Sequence, residues 1–363
     1  GAGSTGALDP TTLTASFAEH DDAFYPTGTK VAMIGGRDDV LLIGNSSTAA
    51  RALDDSFGTL NGGFESVFGD ALGGWGKQGL MTDTDGDGRE ELILLYEKED
   101  DGNEITLFHG EDGVGGFSEK GRKTLGSGDG TTGAVEFAVD AGDVTGDGLN
   151  DVVSLLRSGE KEFRLYVGTE ASADYDETHS TESDTDHVDV AVAQLDGDSP
   201  KEMIVAIGSQ ASYVGDSNYM VLGGSPQLFV FDDVKSGGGK LAETTLPPVG
   251  SGVQAQPSMD AGDVDGDGVD EIVTAGVLVG GANNRHHRIA IYELDGGSLS
   301  EAETLETQEP WIDYTDSATR TEVANIKGGR TAEIIVNDAA FEYGTGGIAH
   351  LNNFNLGAQL RWT

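Results

Sequence analysis

Short apolar runs separated by stretches rich in glycine and aspartate set the pattern of this chain. Val40-Leu-Leu-Ile43, Leu92-Ile-Leu-Leu95, Val152-Val-Ser-Leu155, Met203-Ile-Val205, Ile272-Val-Thr274 and Ile334-Ile-Val336 have the length and β-branched character of buried strands. Turn signals and second apolar runs lie close by. Asp100-Asp-Gly-Asn103 precedes Ile105-Thr-Leu-Phe108, Ser158-Gly-Glu160 precedes Phe163-Arg-Leu-Tyr-Val167, and Ile289-Ala-Ile-Tyr292 precedes Asp295-Gly-Gly297. A further strand is predicted upstream, over Ala134-Val-Glu-Phe-Ala-Val139. No stretch carries a sustained 3.6-residue apolar stripe, so the pattern predicts an all-β chain.

The strands belong to a repeat. Asp83-Thr-Asp-Gly-Asp-Gly-Arg-Glu-Glu91, Asp143-Val-Thr-Gly-Asp-Gly-Leu-Asn-Asp151 and Asp263-Val-Asp-Gly-Asp-Gly-Val-Asp-Glu271 each run directly into an apolar run. Gln194-Leu-Asp-Gly-Asp-Ser-Pro-Lys-Glu202 keeps most of the acids. Asn325-Ile-Lys-Gly-Gly-Arg-Thr-Ala-Glu333 and Val31-Ala-Met-Ile-Gly-Gly-Arg-Asp-Asp39 keep the frame and lose them. The closing acids stand about 59 residues apart on average, so six units account for nearly the whole chain. Units of three or four strands, too small to be stable alone, are predicted to pack as blades of one β-propeller spanning 1–363. Its blade motifs lie near 31–43, 83–95, 143–155, 194–205, 263–274 and 325–336, and ring closure is expected between Leu13-Thr-Ala-Ser-Phe17 and Ile348-Ala-His-Leu351.

The nine-residue spacing suits a hard cation. Calcium takes six to eight oxygens, and a tight loop delivers them when alternate residues point inward. In the first clear copy, Asp83, Asp85 and Asp87 hold positions 1, 3 and 5, the carbonyl of Arg89 holds position 7, and Glu91 closes the shell. The equivalents are Asp143, Thr145, Asp147, Leu149 and Asp151, then Asp263, Asp265, Asp267, Val269 and Glu271. A weaker set comprises Gln194, Asp196, Asp198, Pro200 and Glu202. In the 325–333 copy Lys327 and Gly329 replace acids, so its ammonium is expected to stand in for an ion. Three or four bound Ca2+ ions are therefore expected. An EF-hand needs a Glu at position 12 and flanking helices. Leu94, Ser154 and Thr274 occupy position 12 here, inside predicted strands.

These loops resemble the blade calcium loops of integrin α subunits. Their flanks are similar to FG-GAP and VCBS repeats, down to Phe117 after Gly113-Val-Gly-Gly116. The resemblance implies calcium ligands held between paired strands and a role in adhesion, glycan binding or surface, appendage or virion assembly. It also implies a rival reading, a carbohydrate-active propeller such as a lectin, a polysaccharide lyase or a hydrolase. Relatives with seven blades make seven the alternative to the six counted here.

Charge sharpens the picture. With 21 Lys and Arg against 64 Asp and Glu, the formal charge is -43, yet 37% of residues are hydrophobic, enough to fold. Such self-repulsion is screened in molar salt, where the Debye length is about 3 Å. The composition resembles proteins of extreme halophiles, the alternative being an acidic calcium-binding surface protein from seawater. Nothing basic enough to track phosphates is present, so nucleic acid is not an expected partner. There is no cysteine and no apolar run that could span a bilayer. The start, Gly1-Ala-Gly-Ser-Thr-Gly-Ala7, fits a chain whose leader has been removed, and the expected location is extracellular or at the cell surface. Arg285-His-His-Arg288 (Arg285, His286, His287, Arg288) is the one dense basic patch, a candidate for a sulfated or carboxylated glycan or a protein carboxylate. Trp75, Trp311 and Trp362 are expected to pack in the core. No catalytic constellation is recognisable, and the expected partners are a surface protein or glycan bound by a non-enzymatic scaffold.

Overall fold

The computed structural model describes residues 26–34, 37–44, 50–53, 65–66, 75–98, 104–113, 116–127, 137–168, 173–182, 187–198, 200–208, 211–213, 220–222, 226–246, 258–280, 284–309, 317–324, 331–340, 342–343 and 349–350. The first sheet contains β1 (Pro26–Ile34), β2 (Arg37–Gly44), β3 (Ala50–Leu53) and β4 (Glu65–Ser66). The second contains β5 (Trp75–Thr82), β6 (Glu91–Lys98), β7 (Glu104–Gly113) and β8 (Gly116–Ser127), and the third β9 (Phe137–Gly142), β10 (Asp151–Gly159), β11 (Glu162–Gly168) and β12 (Ala173–Ser180). In the fourth, β13 (His187–Ala193) and β14 (Glu202–Gly208) are followed by a separate hairpin, β15 (Ala211–Tyr213) with β16 (Met220–Leu222), before β17 (Gln227–Asp232) and β18 (Gly239–Thr245) complete the sheet. The fifth holds β19 (Ser258–Gly262), β20 (Glu271–Gly280), β21 (Asn284–Asp295) and β22 (Ser298–Glu309). Two strand pairs follow, β23 (Ser317–Ala324) with β24 (Glu333–Ala340) and β25 (Glu342–Tyr343) with β26 (Ala349–His350). All neighbours are antiparallel, and no α-helix occurs among the described residues.

The opening strands of successive sheets adjoin in series: β1 with β5, β5 with β9, β9 with β13, β13 with β19 and β19 with β23. The core is correspondingly divided between neighbours. One cluster joins Leu95 and Leu107 of the second sheet to Val152 and Tyr166 of the third. Another joins Phe163 and Leu165 to Val205 and Phe231, the next Ile204 and Val230 to Ile272 and Tyr292, and the last Val273 and Ile291 to Ile334. Four-stranded antiparallel sheets packed face to face in chain order are consistent with a β-propeller.

The second to fifth sheets bury apolar residues on their central strands. Met203-Ile-Val-Ala-Ile207 in β14 is buried on both faces, because each face meets another sheet. That explains a continuous apolar run where a half-exposed strand would alternate. The outer strand β12, with Asp174, Asp176 and Glu177, is largely exposed. On this outer strand ions and water screen the acids. The Asp295-Gly-Gly297 signal becomes the turn between β21 and β22, with Gly296 and Gly297 at φ 57 and 81, the positive values of a type I′ hairpin.

One expectation requires correction. At 31–39 there is no nine-residue loop: β1 runs to Ile34 and pairs it with Arg37, so only residues 35–36 separate the strands and Asp39 sits mid-strand opposite Ala32. The apolar Val31-Ala-Met-Ile34 extends a strand because no chelating residues hold it in a loop. The 13–17 segment expected to close the ring lies outside the described residues, and Ala349–His350 pairs with Glu342–Tyr343. Trp311 and Trp362 also lie outside them, while Trp75 opens β5.

Candidate metal centres

The other repeat loops share one frame. Each joins the first strand of a sheet to its second, and the closing acid pairs with the residue just before the loop: Thr82 with Glu91, Gly142 with Asp151, Ala193 with Glu202 and Gly262 with Glu271. In the 325–333 copy Ala324 pairs with Glu333, and residues 325–330, including Lys327 and Gly329, lie outside the described residues. Strands, not helices, flank every one of these loops.

Within a loop the backbone curls around the position 1 carboxylate. Asp83 Oδ1 accepts from Gly86 N–H at 2.6 Å and Oδ2 from Gly88 N–H at 2.8 Å. Asp263 does the same with Gly266 at 2.5 Å and Gly268 at 3.0 Å, and Asp143 accepts from Asp147 and Gly148. This curvature places Gly86, Gly88, Gly146, Gly148, Gly266 and Gly268 at φ between 72 and 96, a region that glycine enters without strain. The position 5 acids Asp87, Asp147 and Asp267 accept from the N–H of Arg89, Leu149 and Val269, which ties position 7 into the turn.

Three triads of carboxylates gather with ligand oxygens within 4.8 Å of one another: Asp83, Asp85 and Glu91; Asp263, Asp265 and Glu271; and Asp196, Asp198 and Glu202. The acids Asp87 and Asp267 stand outside their triads. The 143–151 loop gathers no such triad among the described residues, because position 3 is Thr145, whose hydroxyl donates to Asp151 Oδ1 at 3.4 Å. Gln194 gives its side-chain amide to the Asp198 carbonyl.

The closing acid is the buried element of each site. Glu91, Glu202 and Glu271 are all buried, and one oxygen of each takes the position 2 N–H, from Thr84 at 2.7 Å, Leu195 at 2.6 Å and Val264 at 2.8 Å. Asp151 accepts in the same way from Val144 at 3.0 Å. Burial pushes Glu202 and Glu271 up to about 7, with the loop's own aspartates adding to the rise, and it also raises Asp151. Glu202 Oε1 is buried and has no hydrogen-bond partner. A fully buried carboxylate oxygen facing other carboxylates needs a positive partner, and calcium, which prefers carboxylate oxygen, fits this donor set. The cations near these loops are exposed: Lys120 Nζ lies 3.4 Å from Asp85 and Lys235 Nζ 3.6 Å from Asp147.

Position 2 was not singled out from sequence, and it anchors the loops. Val144, Leu195 and Val264 insert into the core at 1%, 2% and 1% exposure. Thr84, the polar exception, bonds Glu91 and lies 3.4 Å from the buried His109 Nε2.

Position 8 was also missed, and it links one loop to the next. Lys201 N–H donates to the Asp143 carbonyl, Asp270 N–H to the Gln194 carbonyl, and Ala332 N–H to the Asp263 carbonyl. Asn150 donates its side-chain amide to Thr82 Oγ1. The loop glycines at position 4 lie against the position 7 side chain of the following loop: Gly86 against Leu149, Gly146 against Pro200 and Gly197 against Val269. Further carboxylates fasten first strand to first strand: Asp140 accepts from Val192 N–H at 2.8 Å, Asp189 from Met259 at 2.9 Å and Asp260 from Val323 at 2.6 Å. A repeated Asp-Ala-Gly-Asp at 140–143 and 260–263 was the visible sign of two of these clamps.

The basic patch lies in β21 just beyond the residues 281–283 that link it to β20. Arg285 and Arg288 fall opposite Glu309 and Glu306 in β22.

Comparison with known proteins gives one family match: residues 83–154 fit the FG-GAP-like repeat. The match runs from the first acidic loop through the second. No curated protein matches the chain. Among solved structures, a triple arginine-to-alanine mutant of AofleA from Arthrobotrys oligospora is 10% identical, with a TM-score of 0.48 over 92% of this chain and 87% of that one.

Proposed function

We propose that this chain is an extracellular, calcium-stabilised propeller of six blades that serves as a non-enzymatic binding scaffold for a surface protein or glycan. The presence of an FG-GAP-like repeat supports an integrin-like scaffold. The observation that carries the calcium reading is the gathering of three carboxylate triads at equivalent loops, each closed by a buried acid. Without a cation these groups repel one another, and with one they become the ligands of a hard, oxygen-rich shell. The ions are structural in this reading, since each loop joins the two strands on which its sheet packs against its neighbours. A site filled at a hundredfold over its Kd adds about 2.7 kcal/mol to the folded state. The high acidity suits a protein working in concentrated salt, and the outer strands and the loops between them offer the surface for a partner.

Melting scans in molar salt test the reading. Addition of EDTA is expected to lower the midpoint by many degrees and back-titration with calcium to restore it. An unchanged transition refutes structural calcium. For the scaffold role, a pull-down from surface extracts in native salt is expected to recover a protein or glycan with calcium and to lose it with chelator.

A further inference from the structure

The 194–202 loop lacks the residue around which the others curl. In the 83–91, 143–151 and 263–271 loops the position 1 carboxylate accepts backbone N–H groups from later in the same loop. Position 1 here is Gln194, whose side chain instead donates to the Asp198 carbonyl. The loop still gathers Asp196, Asp198 and Glu202, and Glu202 Oε1 is a buried oxygen with no hydrogen-bond partner, in a residue at 0% exposure. It has the donor set of a cation site, yet it holds its first residue by other means.

Those means come from the neighbouring loop. Asp270, at position 8 of the 263–271 loop, takes the Gln194 N–H on its Oδ2 at 2.9 Å and gives its own N–H to the Gln194 carbonyl at 2.7 Å. Both main-chain polar groups of Gln194 are thus held by one residue of another sheet. At the equivalent contacts Lys201 and Ala332 donate their backbone N–H to the Asp143 and Asp263 carbonyls. Neither of those side chains has an acceptor, so neither can close a second bond. Asp270 is half-buried and stands between Val269 and Glu271, the positions that offer a carbonyl and the closing carboxylate to an ion. Val269 lies against Gly197 of the 194–202 loop, where an added Cβ would be 3.7 Å from its Cγ2. Leu195, next to Gln194, and Ile272, next to Glu271, share one core cluster.

Without a cation the carboxylates of a loop repel one another, and an ion that closes the 263–271 loop holds Asp270 from both sides. Gln194 then meets its partner already in place, and its loop has less freedom left to lose when a second ion enters. The clasp is complete only when both loops are closed, which is what a coupling between two sites requires.

We propose that Asp270 couples the cation sites of the 194–202 and 263–271 loops, so that an ion in either one raises the affinity of the other. The coupling rests on the reading that these loops hold calcium. It adds the dependence of one site on its neighbour, and a positioning residue outside both ligand sets that carries it.

The test uses the full chain, calcium alone as probe, and about 1 M KCl to screen diffuse binding to the acidic surface. Amide hydrogen exchange, read by mass spectrometry as free calcium rises, gives separate midpoints for peptides covering residues 194–202 and 263–271. Asp265→Asn removes a ligand from the 263–271 loop and is expected to raise the calcium midpoint of 194–202 about three- to tenfold, the worth of one hydrogen bond. Asp270→Ala takes away no ligand and is expected to raise both midpoints by a common factor in that range, because coupling is reciprocal. Asp270→Asn loses the charge but keeps an acceptor for the Gln194 N–H, and it should stay within about twofold of the wild type, since a lost charge is screened in this salt. An Asn variant that shifts as far as the Ala variant assigns the effect to charge and overturns the proposal. So does a 194–202 midpoint that stays in place in Asp265→Asn or in Asp270→Ala; in either case protection gained by the wild type leaves the calcium reading standing. A wild type in which neither loop gains protection with calcium overturns both.

Discussion

The junctions between sheets make a volume prediction that can be worked residue by residue. At the residue before a loop, Gly142 faces Val192 of the next sheet and Gly262 faces Val323, whereas at the equivalent junction Ala193 and Ala261 share one core cluster. Glycine thus stands against valine, and two alanines fill the equivalent positions. A Cβ added at Gly142 would lie 2.5 Å from Val192 Cγ1, 3.3 Å from its Cβ and 3.5 Å from Lys201 Cδ. A β-branched side chain has no free rotamer with which to yield about 1 Å, so the strands must part. Overpacking of this kind costs about 1–3 kcal/mol, and replacing a strand glycine returns about 0.5–1 kcal/mol. The expected net loss for Gly142→Ala is about 1–2 kcal/mol, a fall of roughly 1–3 °C in Tm for a chain of this length. Val192→Ala alone should cost about 1 kcal/mol through the space it leaves. The double variant reproduces the Ala193–Ala261 arrangement, so it should be more stable than the sum of the single effects by about 1 kcal/mol or more. Urea melts and thermal scans with saturating calcium in molar salt supply the cycle. A Gly142→Ala protein as stable as the wild type, or two losses that simply add, would refute the proposed fit between sheets.

Two further expectations concern carboxylates outside and inside the loops. Asp260→Ala removes the acceptor for Val323 N–H at the junction of β19 and β23, and leaving that donor without its partner should cost about 1–3 kcal/mol in a urea melt; a neutral effect would mean that the clamp is not under load. Glu271 has its folded pKa raised to about 7 from an ordinary 4.5. An acid raised in the fold holds its proton more tightly there than when unfolded, so in chelator its burden on stability is absent below about pH 4.5, grows as pH rises and is complete above about pH 7. Glu271→Gln should then match the wild type at pH 4 and exceed it by up to about 3 kcal/mol at pH 8 in EDTA, and fall below it once calcium is added. A difference that does not change with pH, or one of the same sign with and without calcium, would refute this account.

Much of this molecule is legible along the chain because its unit is local. Nine residues such as Asp83 to Glu91 carry their own glycines, their own acids and the strand that follows, so spacing alone reports the loop, its flanks and the repeat. The 31–39 segment misled for the same reason. Gly35-Gly-Arg-Asp-Asp39 resembles the end of a loop, but with Val31 to Ile34 ahead of it nothing holds the backbone open, and strand pairing takes it. The burial of Glu202 could not be read from the nine residues of the 194–202 loop, since it arises where β14 is covered by its neighbours on both faces.

The amino-acid sequence by itself determined the all-β character, the period, the loop frame and the acids that face one another, because each depends on neighbours a few residues away. Only the tertiary structure decided which acid is buried, which oxygen lacks a partner, and how one loop grips the next through positions 4, 7 and 8. Those properties arise between units some 60 residues apart, where burial and hydrogen bonding depend on which strand faces which.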